Sequence, residues 1–123
     1  MALPKSDDEI LLLHNPKCSK SRATHALLEE RSVSFQTRLY LDDPLSSDEL
    51  RELGRRLDRP VGEFTRRGQK EFGEAGLGDA STEDEIVVAM STTPILMERP
   101  ILVRGDRAVV GRPPEDVLGL LDD

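Results

Sequence analysis

Cysteine is almost absent from this chain. Cys18 is the only one, so no internal disulfide can form and the fold must stand without one. Long apolar runs are absent too: the longest stretch, Ile10 to Leu13, falls far short of the roughly 18 residues that a membrane-spanning helix needs. The opening "MALPKSDDE" has neither the apolar segment nor the small-residue cleavage site of a secretory signal, so the expected location is the cytoplasm. Basic residues are outnumbered, 17 Lys and Arg against 24 Asp and Glu, for a net charge of −7. With no basic block and no aromatic RNP-like run, neither nucleic acid nor a membrane is an expected partner. A length of 123 residues suits one modest core. The reading is a polar, flexible tail over residues 1–8 and a single domain over 9–123.

What is present follows an ordered pattern. "EILLLH" is a short apolar run stopped by Asn15-Pro16, which reads as a buried strand ending in a turn. "SKSRATHALLEER" follows with no Gly or Pro, a serine able to cap it, and Ala23, Ala26 and Leu27 at helical spacing. "VSFQTRLYL" alternates Val33, Phe35, Thr37, Leu39 and Leu41 on one face, the period of a strand. Together these predict a right-handed parallel βαβ unit. Ser46 and Glu49, then Thr82 and Glu85, stand at capping-box spacing ahead of two further helices. The first of these carries Leu50, Leu53 and Leu57 on one face. Between them lies a glycine-rich stretch of short helices and loops. "RPILV", a turn at Gly105-Asp106, "AVVG" and "PPEDVLGLL" then read as two strands and a helix with proline in its first turn. The fold class is therefore α/β, thioredoxin-like: a βαβ–ββα mixed sheet with a helical insertion between the two halves.

Cys18 stands where the first strand gives way to the first helix. Unsatisfied backbone N–H groups and the positive helix end favour thiolate there. A lone cysteine is commonly a small, inert core residue. This one instead lies in a polar loop, "HNPKCSKSR", beside Lys17, Lys20 and Arg22, which suits an exposed, reactive thiol and an oxyanion cradle. The second thiol of a C-x-x-C pair is replaced by Ser21, so any covalent intermediate on Cys18 must be discharged by an outside thiol. His14 either lowers the thiol's pKa, holds the loop by a hydrogen bond, or simply packs at the strand end. Met90 and Met97 read as core.

Most arginines, including Arg51, Arg55 and Arg56, fall on the polar side of a helix and read as solvated. Arg99 and Arg112 each precede a proline beside a predicted strand, a position that projects a side chain from the sheet edge. Arg66 and Arg67 follow Phe64 in the glycine-rich middle, where a guanidinium could cover a cleft. Several planar guanidiniums converging on a thiolate would suit a tetrahedral oxyanion.

From Ile10 to Leu121 the chain resembles the glutaredoxin-linked arsenate reductase family. His14-Asn15-Pro16-Lys17-Cys18 resembles its H-N-P-x-C loop, and Ser21-Arg22 the S-R that follows. "LYLDDP", "PILMERPILV" and "GRPPEDVL" resemble its L-Y-L-x-x-P, P-I-L-x-x-R-P-I-V and R-P-x-x-V-L segments. The resemblance implies a cysteine nucleophile at Cys18 and three oxyanion-holding arginines at Arg66, Arg99 and Arg112. A one-residue slip would replace Arg66 by Arg67. His14, Asn15, Ser21 and Arg22 are expected to join these in binding substrate, with a cis peptide before Pro100. The implied activity is reduction of arsenate to arsenite, with glutathione or another small thiol as co-substrate, a glutaredoxin-type protein as partner, and no metal. The rival is a binding module of the same fold, a thiol sensor or a regulator of transcription. A related branch of that kind usually carries C-x-x-C and lacks the full arginine set.

Overall fold

The computed structural model describes residues 2–121; the first residue of the expected tail and the last two of the expected domain lie outside them. The chain forms two compact units. One combines the chain up to Asp43 with the chain from Arg99 onward, and the other is Pro44–Glu98.

The first unit is a four-stranded sheet in the order β2-β1-β3-β4. β1 (Ile10–His14) is central, and its Leu11, Leu12 and Leu13 are all buried, which is why it reads as an uninterrupted apolar run. β2 (Gln36–Leu39) pairs with it in parallel through α1 (Ser19–Glu30). β3 (Ile101–Arg104) runs antiparallel to β1, and β4 (Arg107–Val110) antiparallel to β3. A 3₁₀ turn (Pro114–Val117) leads into a short final helix, Leu118–Leu121. Leu12 and Leu102 of the sheet pack with Leu28 of α1 and with Val117 and Leu120. Side chains of this size contribute about 1.5–3 kcal/mol each when fully buried. This is the thioredoxin-like plan, with the second unit as the helical insertion between its halves.

Three local expectations are corrected. α1 does not present Ala23 and Ala26 to the core; both are exposed, and the buried positions are Ser21, Thr24 and Leu28. Hydroxyl residues can fill that face because their oxygens are satisfied: Thr24 Oγ1 donates to the Lys20 carbonyl at 3.0 Å. They must also be small, because a Cβ at Gly111 would already lie 2.9 Å from Pro100 Cγ and 3.0 Å from Thr24 Oγ1. β2 is shorter than Val33 to Leu41, and its buried residues are Arg38 and, just beyond it, Tyr40, whereas Leu39 is 41% exposed. A strand shows alternate side chains to opposite faces. Within β2 the inward positions are held by a cation bonded to the Asp43 carbonyl at 2.9 Å and, just beyond, a tyrosine, so apolar alternation fails there, although Val33 and Phe35 ahead of the strand do pack against the core. Third, residues ahead of β1 pack where a tail was expected: Leu3 and Pro4 are buried, and Arg104 Nε donates to the Asp7 carbonyl at 3.1 Å. The turn at Gly105 (φ +58°) sits so tightly against Asp7 that a side chain there would collide with it.

In the second unit, α2 (Ser47–Leu57) and α4 (Glu83–Thr92) pack on each other and on a 3₁₀ turn, Val61–Phe64. Both helices open with complete capping boxes, Ser46 with Glu49 and Thr82 with Glu85. Leu50, Leu53, Leu57 and Met90 are buried, and so is Met97. α3 (Lys70–Glu74) lies between α2 and α4 in the chain. Residues 64–66 run beside 96–98 through an antiparallel bridge, Thr65 with Met97.

Candidate active site

Strand direction gathers the site. β1 and β2 end together, His14 opposite Leu39, while β3 begins beside that end, Ile101 opposite Leu13, and β4 ends beside it, Val110 opposite Ile101. Asn15 to Cys18, Tyr40, Arg99 and Arg112 therefore all leave the sheet at one edge, although they come from opposite ends of the sequence.

Cys18 itself is the N-cap residue of α1, at φ −99° and ψ 127°, a place where Ser19 was the expected cap. It is buried rather than exposed, at 9%. Burial pushes the thiol pKa up. The backbone N–H groups of Ser21 and Lys20 and the Arg99 guanidinium outweigh that effect, leaving Cys18 below the ordinary thiol range. The site therefore stabilises an anion that is kept from bulk water.

The loop is held by a small hydrogen-bond cluster. Ser21 Oγ accepts the Asn15 N–H at 3.0 Å and lies 2.7 Å from His14 Nδ1. With the hydroxyl already accepting from Asn15, its proton is best directed to Nδ1, which suits a neutral imidazole protonated on Nε2. Burial lowers the His14 pKa, and the charge of His25, whose ring is 5.1 Å away, lowers it further. Asn15 Oδ1 accepts the Lys17 N–H at 3.0 Å, and Arg22 Nη1 donates to the Pro16 carbonyl at 3.0 Å. His14, Asn15, Ser21 and Arg22 thus shape the loop around the sulfur, and each has a bond that accounts for its place.

The arginines differ in kind. Arg112 is exposed; its Nη2 lies 3.9 Å from Cys18 Sγ, and its Nε donates to the Arg99 carbonyl at 2.7 Å. Arg99 is half-buried, and its Nε and Nη1 are fully buried with no hydrogen-bond partner among the described residues. Both the Arg99–Pro100 and the Arg112–Pro113 peptides are cis. Arg66 belongs to the second unit, half-buried, with its N–H bonded to the Leu96 carbonyl at 2.6 Å. Arg67 is occupied in that unit's packing: its guanidinium stacks over Phe72 at 5.5 Å, and a Cβ at Gly62 would lie 3.1 Å from its Nη2. Arg51 and Arg55 bond to Asp84 and Glu52 on the outside of the helices, whereas Arg56, expected to be solvated, also bonds to Glu52 but with its side chain only 12% exposed.

The sequence reading overlooked Tyr40. It is completely buried, and its hydroxyl has no hydrogen-bond partner of normal geometry, although the Asn15 side chain stands near it. Burial raises its pKa far above that of an ordinary phenol. The positive charge of Arg99 opposes this rise, Cys18 reinforces it, and Asn15 and Arg112 oppose it more weakly. The signal available in the sequence was that the chain's one tyrosine stands in the "LYLDDP" segment that closes the second strand of the βαβ unit.

Comparison with known proteins decides the family. The sequence model of the ArsC family matches residues 13–120. This chain belongs to the ArsC family. An arsenate reductase of Neisseria meningitidis is 36% identical over 115 residues, covering 92% of this chain and 98% of its own. The uncharacterized protein YfgD of Escherichia coli is 40% identical over 115 residues, covering 92% and 97%. Among solved structures, an arsenate reductase from Vibrio cholerae superposes with a TM-score of 0.87 at 40% identity, covering 91% of this chain and 97% of that one. In this ArsC chain, no group of His, Cys, Asp or Glu among the described residues could hold a metal ion, and no described helix is long and apolar enough to cross a membrane.

Proposed function

We propose that this protein reduces arsenate to arsenite through the single nucleophile Cys18, with glutathione or a similar small thiol as electron donor and a glutaredoxin-type protein regenerating the enzyme. One observation carries the proposal: a low-pKa thiol adjoins a half-buried arginine, Arg99, whose Nε–H and Nη1–H are themselves buried and have no acceptor among the described residues. A buried donor without an acceptor costs about 1–3 kcal/mol, and more when charged, so such a guanidinium is suited to an anion that arrives from outside. The arsenate reductases named above are relatives over nearly the whole chain.

In the proposed reaction, Cys18 Sγ attacks arsenic and an S–As bond forms as one oxygen departs as water. Arg99 and Arg112 compensate the charge on the remaining oxygens. The family motif assigns Arg66 as a third cation, and the stacking of Arg67 on Phe72 favours Arg66 over its neighbour. The thiolate of glutathione then attacks Sγ. An S–S bond forms, the S–As bond breaks with its electron pair passing to arsenic, and arsenite leaves. Arsenic gains two electrons and the two sulfurs lose them. The mixed disulfide on Cys18 is reduced by the glutaredoxin-type protein, because Ser21 cannot act as a resolving thiol.

The test is arsenate-dependent oxidation of NADPH by purified protein supplied with glutathione, glutathione reductase and glutaredoxin. Turnover that is lost in Cys18→Ser supports the proposal. Absence of turnover from a folded protein whose Cys18 still reacts readily with an alkylating agent would instead favour the thiol sensor or regulatory module.

A further inference from the structure

Among the described residues, Tyr40 is the one buried polar group at this end of the sheet that neither the loop's hydrogen bonds nor the arginines account for. Its hydroxyl is sealed from solvent and, with only the Asn15 side chain near it, has no partner in normal hydrogen-bond geometry, a state that native proteins seldom leave uncompensated. It sits one residue beyond the Leu39 position that pairs with His14, so it reaches the same end of the sheet as Asn15 and Cys18. Arg99, Cys18 and Arg112 all act electrostatically on its ionisation, which places it within the field of the site. Two unpaired donors are therefore gathered around one thiol, a guanidinium and a phenol, and both lack the same thing, an oxygen acceptor.

We propose that the Tyr40 hydroxyl is a substrate-binding hydrogen-bond donor, directed at an oxygen of the tetrahedral oxyanion that Arg99 and Arg112 hold against Cys18. This rests on the oxyanion reading of the site made above. The phenol's division of labour with the arginines is chemical. Guanidiniums supply charge wherever oxygen is negative, whereas a phenol that keeps its proton throughout the working pH range supplies a short, directional bond without adding charge. A neutral donor of this kind also selects for an oxygen at that point, because an analogue without one leaves the hydroxyl unpaired.

The chain holds one tyrosine and no tryptophan, so its tyrosine absorption reports on Tyr40 alone. Wild-type protein without thiol reductant is titrated with arsenate, and with inorganic phosphate as a non-reducible comparison. Two signals are followed: the rate of Cys18 alkylation and the near-UV tyrosine band. The expected result is protection of Cys18 and a red shift of the band with one common midpoint. In Tyr40→Phe, the midpoint for protection should rise about tenfold, as one lost hydrogen bond to a charged acceptor requires, while the pH midpoint of alkylation without oxyanion stays unchanged. Protection of wild type with no change in the tyrosine band overturns the role of Tyr40 and leaves the oxyanion site standing, and needs no variant to fold. Equal protection of the Phe variant does the same, as does an alkylation midpoint that rises without oxyanion, which would assign the hydroxyl to the thiolate. No protection of wild type by either anion removes the oxyanion reading itself, and the Tyr40 proposal with it.

Discussion

Arg112 Nε donates to the backbone carbonyl of Arg99 at 2.7 Å, so one cation of the site holds the chain that carries the other. The two are coupled through the backbone as well as through the sulfur they share.

That coupling predicts a non-additive pair. Arg99→Gln or Arg112→Gln should each slow arsenate reduction about a hundredfold, near 3 kcal/mol, because each removes a donor to developing negative charge. The double variant should lose clearly less than the product of the two, since loss of Arg112 already releases Arg99. Arg55→Gln, on the outer face of α2 with its partner Glu52, should be nearly silent. Steady-state kinetics on the four proteins, with circular dichroism to establish the fold, checks all of this.

Cys18 should alkylate with a pH midpoint below the free-thiol value of about 8.5. In Arg99→Gln the midpoint should move upward, because burial still disfavours the thiolate and one of the groups opposing burial has gone. An unchanged midpoint would show that the helix N-terminus alone sets the reactivity. The measurement is the rate of iodoacetamide modification between pH 5 and 10.

Ser21 has a structural task that motif reading alone does not reveal. Ser21→Ala leaves the Asn15 N–H and His14 Nδ1 without their shared partner in a buried place, and should cost about 1–3 kcal/mol of stability in urea unfolding. The proposed reaction uses no second thiol of this chain, so the variant should still turn over where it is folded.

Stability should fall in mild acid. Burial and the charge of His25 depress the His14 pKa in the folded state, so below about pH 6.5 the unfolded chain takes up a proton that the folded one resists. The contribution is complete above that pH and is lost as pH drops through the folded-state value. Glu52, held at about 2 by Arg55 and Arg56, titrates well below this window. Urea midpoints between pH 5 and 7.5 should slope upward with pH, and the slope should flatten in His14→Gln.

Much of this was legible before any coordinates. The βαβ and ββα halves rest on strong local signals: an apolar run too short for a helix, capping boxes, and a Gly-Asp turn. The same signals fail at β2 for a physical reason, since Arg38 is buried with the Asp43 carbonyl as partner, and no count of apolar positions anticipates a cation facing inward. Tyr40 was lost through that same inversion of faces. The motif brought out Cys18, Arg99 and Arg112, but the bond between the two arginines links a side chain to a backbone carbonyl, and sequence carries no trace of it. Arg67 shows the converse: its stacking on Phe72 separates two adjacent arginines that look alike as letters.

The sheet order has a consequence for the newly made chain. Synthesis delivers β1, Cys18 and α1 first, whereas β3, β4 and both arginines of this edge come near the end. Until the final hairpin pairs with β1, the sulfur lacks Arg99, and a thiol without that cation holds its proton more firmly. Docking of the last strands is thus the step that brings to Cys18 the guanidinium that favours its thiolate.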